Sequence, residues 1–391
     1  MYLLSAQALK ERLITDRRQL HRYAEVGTEL PSTTAYVMGR LQEMGYEPKE
    51  ICPSGITATL GKPGGKTILL RADMDALPMQ EESGLDFASQ NTDAAHTCGH
   101  DLHTAMLLGV AKLLKDNEAE LEGQVRLMFQ PDEEGMNGAR LMIEAGILED
   151  VDAGLALHVA PGPYPPGLVL TAPGVVAASQ DRFVIKINGK GCHGAMPHMG
   201  VDPISVGSHI VLALQELIAR ELNASNPVVV TVGVFKAGDA ANIIPQAAEL
   251  QGTLRALSTE ARELAKTRLV ELCEMTARTY RADCVVEFPV DTPCTVNDPD
   301  LTSELSSYVS AMGLQVAKMP AIMGSEDFAY VSERIPCTFL GIAAGGQEPG
   351  YHFPQHNPKV CFNEDALPIG AAILAECAQA YLKTHSPSSQ I

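Results

Sequence analysis

The chain has 391 residues, 46% of them hydrophobic, and its acidic residues outnumber its basic ones by 48 to 29, for a formal charge of −19. That length exceeds one typical core, so two domains are expected, and the acidity argues against nucleic acid and anionic membrane surfaces as partners. Nine scattered cysteines point to a reducing cytoplasm, the charged amphipathic N-terminus does not read as a signal peptide, and no apolar run approaches the roughly 20 residues that span a bilayer.

In chain order, the first stretch reads as an amphipathic helix carrying His21, near Glu25, for which a structural or surface role is expected rather than ligation. Pro31 and Ser32 open a second helix that runs to Met44 and stops at Gly45. The run Lys66-Thr67-Ile68-Leu69-Leu70 reads as a buried strand. It delivers Asp73 and Asp75 just past its end, where open α/β sheets place their chemistry. Next comes His96-Thr97-Cys98-Gly99-His100-Asp101-Leu102-His103, which packs three imidazoles, a thiol and a carboxylate into one short stretch. All are groups that bind borderline-soft metal ions, and the central glycine permits a sharp backbone path. An apolar helix from Thr104 to Lys115 continues from it. The strand Gln124–Gln130 ends in Pro131-Asp132-Glu133-Glu134-Gly135, a helix over 138–145 follows, and the apolar run from Ala153 to Leu157 ends in His158. Strand ends bearing ligand-type groups, with helices between them, give the pattern of a three-layer α/β domain.

From about Ser179 the pattern changes. A strand from Asp181 to Asn188 is followed by a Gly-rich loop with His193 and His198, then by a helix begun at Asp202-Pro203. Strands over 227–235 and 247–257, a helix over 259–280 and a strand over 283–290 complete the order β-α-β-β-α-β of a ferredoxin-like unit. A second domain is therefore placed at 179–292, inserted into a first domain of residues 1–178 and 293–391. After it a helix over 298–312 and segments near 317–319 and 338–343 resume the α/β pattern. A last loop offers His352 and His356, and a helix from Asp365 to Tyr381 closes the chain.

Cys98, His100, Glu134, His158 and a histidine of the last loop are S, N and O donors. One tetrahedral zinc takes four ligands, so five suit two neighbouring ions sharing a bridging ligand. Two divalent cations about 3.5–4 Å apart acidify a bridging water and polarise a carbonyl, as amide hydrolysis needs. Glu133, adjacent to the ligand candidate Glu134, is placed to take the water's proton and pass it to the leaving amine. Without the His/Cys stretch the Glu pair would read as a solvated helix N-terminus. The mixed donor set fits zinc, manganese, cobalt or nickel.

HTCGHDLH, FQPDEEG, ALHV, GCHGAMPHMGVDPI, NIIP, GSEDFAY and HNPKVCFNEDALPIGAAI, in that order and over nearly the whole chain, resemble the M20 metallopeptidase family. More closely they resemble its aminoacylase branch, the N-acyl-amino-acid amidohydrolases, which includes hippurate hydrolases, N-acetyl-diaminopimelate deacetylases and auxin-conjugate hydrolases. The resemblance implies a three-layer di-metal peptidase-like catalytic domain with an inserted ferredoxin-like α+β lid and dimerisation domain. It implies two divalent metal ions per subunit held by Cys98, His100, Glu134, His158 and His356, with Cys98 bridging, and Glu133 as catalytic base. It selects His356 over His352, which spacing alone leaves open. His193 resembles the lid histidine that stabilises the tetrahedral oxyanion, usually in the neighbouring subunit's site, so a homodimer is expected. Asn242 in NIIP and Arg255 in GTLRAL resemble positions near the substrate carboxylate, for which a buried Arg is a natural clamp. From the residues alone, His193 reads as a surface loop histidine and Arg255 equally as part of a strand-face salt bridge.

Two departures matter. Asp73-Met74-Asp75 stands where the wider family has His-x-Asp, which removes one His ligand and fits the branch in which His100 takes over; Asp75 then reads as orienting a ligand histidine. Cys192 stands where relatives often have glycine and is not read as catalytic. The expected reaction is cleavage of the amide of a small N-acyl amino acid to a carboxylate and a free amino acid. A carboxypeptidase or dipeptidase on the same scaffold is the near alternative, and a non-catalytic metal-binding protein the remote one.

Overall fold

Every residue of the Thr67–Asp73 strand is buried, yet its side chains divide between two apolar cores: Ile68 and Leu70 join one and Leu69 the other. Neighbouring strands repeat the division, with Leu127, Leu155 and Leu340 on the first side and Met128, Ala156 and Phe339 on the second. Successive residues of a strand point to opposite faces, so strands apolar at every position need cover on both. The computed structural model, which describes residues 2–386, supplies it. Helices Tyr2–Ala8, Lys10–Tyr23, Pro31–Glu43, His100–Asp116, Pro299–Ala311 and Ala366–Thr384 contribute to the first core, Gly138–Glu144 and Ala329–Ser332 to the second. This is a three-layer α/β arrangement.

Its sheet has eight strands in the order Lys49–Cys52, Gly55–Gly61, Gln124–Gln130, Thr67–Asp73, Ala153–Ala160, Cys337–Ala343, Leu168–Thr171 and Gln315–Lys318. The four central strands, from Gln124–Gln130 to Cys337–Ala343, run parallel, so their C-terminal ends share one edge. Antiparallel pairings flank them.

Contacts divide the chain into two units. The first holds the stretch up to Val176, Val296–Pro320 and the chain from Asp327 onward; the second holds Ala177–Thr295 and Ala321–Glu326. That last segment joins the second unit although its place in the chain assigns it to the first. The reason is hydrogen bonding: the Ala178 N–H donates to the carbonyls of Ile322 (3.0 Å) and Gly324 (2.9 Å). In the second unit a four-stranded antiparallel sheet runs Val228–Ala237, Ala247–Ala256, Gln180–Asn188, Asp283–Thr292. Helices Pro203–Glu216 and Thr259–Thr279 bury Ile210, Leu214, Leu269 and Cys273 in a common core with Phe183, Ile185, Ile187 and Leu250 of the sheet, in the ferredoxin-like order. Asp202 caps the first helix through Ile204 N–H (2.9 Å) and Ser258 the second through Ala261 N–H (3.2 Å).

Several element bounds differ from the sequence reading. The N-terminal helix is broken at Leu9. The Asp73 strand runs through Asp73 itself, the helix after the His/Cys stretch begins at His100, and His158 lies inside its strand. Strands Lys49–Cys52, Gly55–Gly61 and Leu168–Thr171 were not anticipated: the first and last have four residues each, and Gly55–Gly61 interrupts its apolar positions with Gly and Thr. Among the described residues no helix is long and apolar enough to cross a membrane.

Candidate metal centre

Three adjacent parallel strands deliver chemistry at one edge: Asp73 ends one and Asp75 follows it, Glu133 and Glu134 come after the next, and His158 lies near the end of the third. This is where a parallel sheet leaves its carboxyl ends open. The His/Cys stretch crosses the same edge. Gly99 makes that possible with φ +96°, and a Cβ there would lie 2.4 Å from Val159 Cγ2, so both backbone conformation and space require glycine.

The donor atoms converge. Cys98 Sγ lies 3.5 Å from His158 Nε2, and His356 Nε2 lies 3.5 Å from Glu134 Oε1. His100 Nε2 lies 3.9 Å from Glu133 Oε2 and 4.0 Å from Glu134 Oε1. Cys98, His100 and His158 form one set whose donor atoms lie within 4.8 Å of each other, and Cys98, Glu134 and His356 form a second. Cys98 belongs to both. His352 is turned elsewhere, its Nε2 bonding the Gly346 carbonyl at 3.0 Å. His356 is held at φ +64°, a left-handed conformation that costs a non-glycine residue about 1–3 kcal/mol, and its N–H donates to the Thr97 carbonyl at 3.1 Å.

Hydrogen bonds set the ligand tautomers. His100 Nδ1–H donates to the Asp75 carbonyl (2.9 Å) and His158 Nδ1–H to the Val159 carbonyl (2.8 Å). Each ring thereby turns an Nε2 lone pair toward the cluster. His100 Nε2 and Glu134 Oε1 are buried without a hydrogen-bond partner, a costly state for polar atoms that a cation would relieve. Burial lifts the Cys98 thiol and, with Asp75 adding to it against His100, lifts Glu134 to about 7. Burial depresses His158. For His100 burial opposes the charge, but Asp73 and then Cys98 outweigh it and hold the ring well above its ordinary value. Convergent S, N and O donors, two of them buried without a hydrogen-bond partner, fit divalent metal ions.

Asp75 organises the site twice over. Its carbonyl receives His100, while its carboxylate accepts the N–H of Glu133 (3.0 Å) and Glu134 (3.2 Å), fixing both glutamates at their turn. Asp101 points the other way and takes bonds at 2.8 Å from Arg17 Nε and His21 Nδ1. His21 thus has a structural role, with Asp101 and Glu81 rather than Glu25 as its acidic partners. Glu25 instead caps the second long helix through the N–H groups of Ser32 and Thr33.

In the second unit, His193 is exposed on a two-residue strand paired with Ile243–Ile244, next to Asn242, whose carbonyl accepts the Gly194 N–H at 2.8 Å. Ala195 N–H donates to His193 Nδ1 (3.1 Å), leaving Nε2–H as the outward donor. Half-buried Arg255 donates to Gln180 Oε1 (2.5 Å) and Ser325 Oγ (2.9 Å), and burial, then Arg182, lowers its pKa. Its partners there are neutral, in place of the salt bridge considered from sequence.

Sequence reasoning missed a buried cluster behind the site. Arg71 donates to Gln130 Oε1 (2.8 Å), Asp73 Oδ2 (2.6 Å) and Asp327 Oδ1 (3.1 Å). An arginine inside an otherwise apolar strand was the available signal, since such a charge is buried only with partners. Gln355, beside His356, was also missed; its Nε2 lies 3.7 Å from Cys98 Sγ and 3.3 Å from the Val159 carbonyl.

The profile of Peptidase family M20/M25/M40 matches residues 69–380. Thermostable carboxypeptidase 1 of Saccharolobus solfataricus is 37% identical over 369 residues, 93% of each chain. The N-acetyl-L-cysteine deacetylase of Bacillus subtilis is 35% identical over 387 residues, 98% of this chain and 92% of the relative. Among solved structures, a dinuclear metal-binding peptidase of the M20 family from Bacillus subtilis superposes with a TM-score of 0.84 at 34% identity, covering 97% of this chain and 99% of that one. With these likenesses running almost end to end, the chain belongs to peptidase family M20/M25/M40.

Proposed function

We propose that the protein is a two-metal amidohydrolase that cleaves an N-acyl amino acid to a carboxylate and a free amino acid. The observation that carries this is the sharing of Cys98 between two donor sets, with the buried Glu133 carboxylate beside them. Cys98, His100 and His158 would hold one ion and Cys98, Glu134 and His356 the other. Bound there, divalent ions such as zinc, manganese, cobalt or nickel would polarise the scissile carbonyl and acidify the attacking water. Glu133 takes the proton of that water on its carboxylate and returns it to the leaving nitrogen. Asp75 keeps the glutamates apart in role by bonding each backbone N–H.

His193, with Nε2–H facing outward, donates to the oxyanion in the site of a second copy of the chain. Arg255, a half-buried cation bonded to neutral Gln180 and Ser325, receives the substrate carboxylate together with Asn242. A homodimer and a cytoplasmic location belong to the same reading. All nine cysteines are free, which suits a reducing compartment.

The second reading, carboxypeptidase, is favoured by the 37% identity to a thermostable carboxypeptidase. A panel of N-acetyl and N-benzoyl amino acids set against dipeptides, with metal supplied, separates the two. The proposal expects the N-acyl compounds to be turned over faster; preference for dipeptides would replace it with the peptidase reading.

A further inference from the structure

His103 belongs to the ligand-rich stretch, and its ring atoms lie close enough to Asp73 and His100 to hold an ion. Both its nitrogens are committed otherwise. The Val159 N–H donates to Nε2 at 2.9 Å, which requires that nitrogen to be unprotonated. The ring proton therefore sits on Nδ1, 2.6 Å from Asp73 Oδ1. Asp73 is itself anchored, since Arg71 Nη1 bonds its other oxygen at 2.6 Å and Arg71 reaches on to Asp327. Asp327 in turn accepts the Ala139 N–H at 2.8 Å.

The residue whose N–H His103 grips is the one whose carbonyl sets His158. His158 Nδ1–H donates to the Val159 carbonyl at 2.8 Å, and the two imidazoles meet edge to face with centroids 4.4 Å apart. Val159 has no slack on its other side, where its Cγ2 abuts the Gly99 turn.

We propose that His103 is a positioning residue: clamped by Asp73, Arg71 and Asp327, it anchors the backbone of Val159 by its N–H and thereby, through that residue's carbonyl, the tautomer and aim of His158 Nε2 toward the ion shared with Cys98 and His100. The proposal rests on the two-metal reading and on no particular substrate. Partners behind a ligating imidazole change metal affinity by about 10–100-fold when lost.

The test compares His103→Gln with His103→Asn. The longer amide can present its oxygen where Nε2 lies and keep the Val159 bond. The shorter one can keep the Asp73 bond only. Metal-stripped proteins are titrated with zinc against a chromophoric chelator, cobalt-loaded samples are read by the thiolate-to-cobalt absorption band, and thermal midpoints are taken without metal. The expected result is a loss of about tenfold or more at one of the two ions in His103→Asn, with a shifted cobalt band. His103→Gln should stay within about threefold of wild type, and the metal-free midpoints of the two variants should match. Equal affinities in the two variants overturn the proposal. Nitrogen-15 spectra of the wild-type ring, which need no variant to fold, are expected to show the proton on Nδ1; a proton on Nε2 overturns it. A wild-type chain that binds fewer than two ions would instead overturn the metal reading on which it stands.

Discussion

At the scale of single residues, neighbours that look alike in the sequence have separate tasks. Glu133 and Glu134 are adjacent, and Asp75 fixes the backbone of both, yet only Glu134 falls in the donor set with Cys98 and His356. Glu133→Ala should therefore retain two ions by elemental analysis while losing at least roughly a hundredfold in turnover; near-wild-type turnover would remove Glu133 from the mechanism. Cys98 stands in both donor sets, so Cys98→Ala should lose metal, and full occupancy in that variant would rule out a bridging thiolate. Gly99→Ala tests the turn beneath them. A left-handed non-glycine residue costs about 1–3 kcal/mol, and the added Cβ would press on Val159. Urea unfolding of the metal-free variant should show at least that loss together with weakened zinc binding.

At the scale of elements, the helix Lys10–Tyr23 and the loop after Asp75 are joined by a charge pair independent of the metal. Burial works against ionisation of both members. The hydrogen bond from His21 nevertheless holds Glu81 down at about 2, and Asp101 with Glu81 holds His21 above its ordinary 6.5. The signs are opposite. A depressed carboxylate contributes stability that is complete above its unfolded value near 4.5 and is lost as pH falls through about 2. A raised imidazole contributes stability that is complete below 6.5 and is lost as pH rises through its folded value. In the metal-free protein, Glu81→Gln should flatten the fall in unfolding free energy between about pH 4.5 and 2 relative to wild type. An unchanged slope would deny the pair its stabilising role.

Legibility also divides by element. The Gln124–Gln130 strand was readable to the residue because its apolar run ends in a sharp change to Pro131 and acids. The flanking strand Gly55–Gly61 was not, because alternation of Gly, Thr and Ala resembles a loop until its neighbours are known. The five proposed ligands could be collected as chemistry. His352 and His356 could not be separated by spacing, since the difference lies in a left-handed backbone at His356 that no local pattern announces. His103 reads from the sequence only as a supporting member of the His/Cys stretch, because its bonds to Val159 and Asp73 join a helix to strands distant in the chain.

At the scale of the whole molecule, the second unit presents a sheet with open outer strands, on which Val229, Phe235 and Val285 are exposed. Such edges pair readily with another chain, and the proposed role of His193 needs one. Sedimentation at micromolar concentration should give a dimer, and His193→Ala should lower turnover without changing metal content; a monomer of full activity would remove the second copy from the site. The central claim is that two ions, not one, make the active centre. Turnover of an N-acyl amino acid by metal-stripped protein, followed against added equivalents of metal, tests it most directly. Activity is expected to climb to a plateau at two ions per chain. Full activity at one ion, or in the stripped protein, would contradict it.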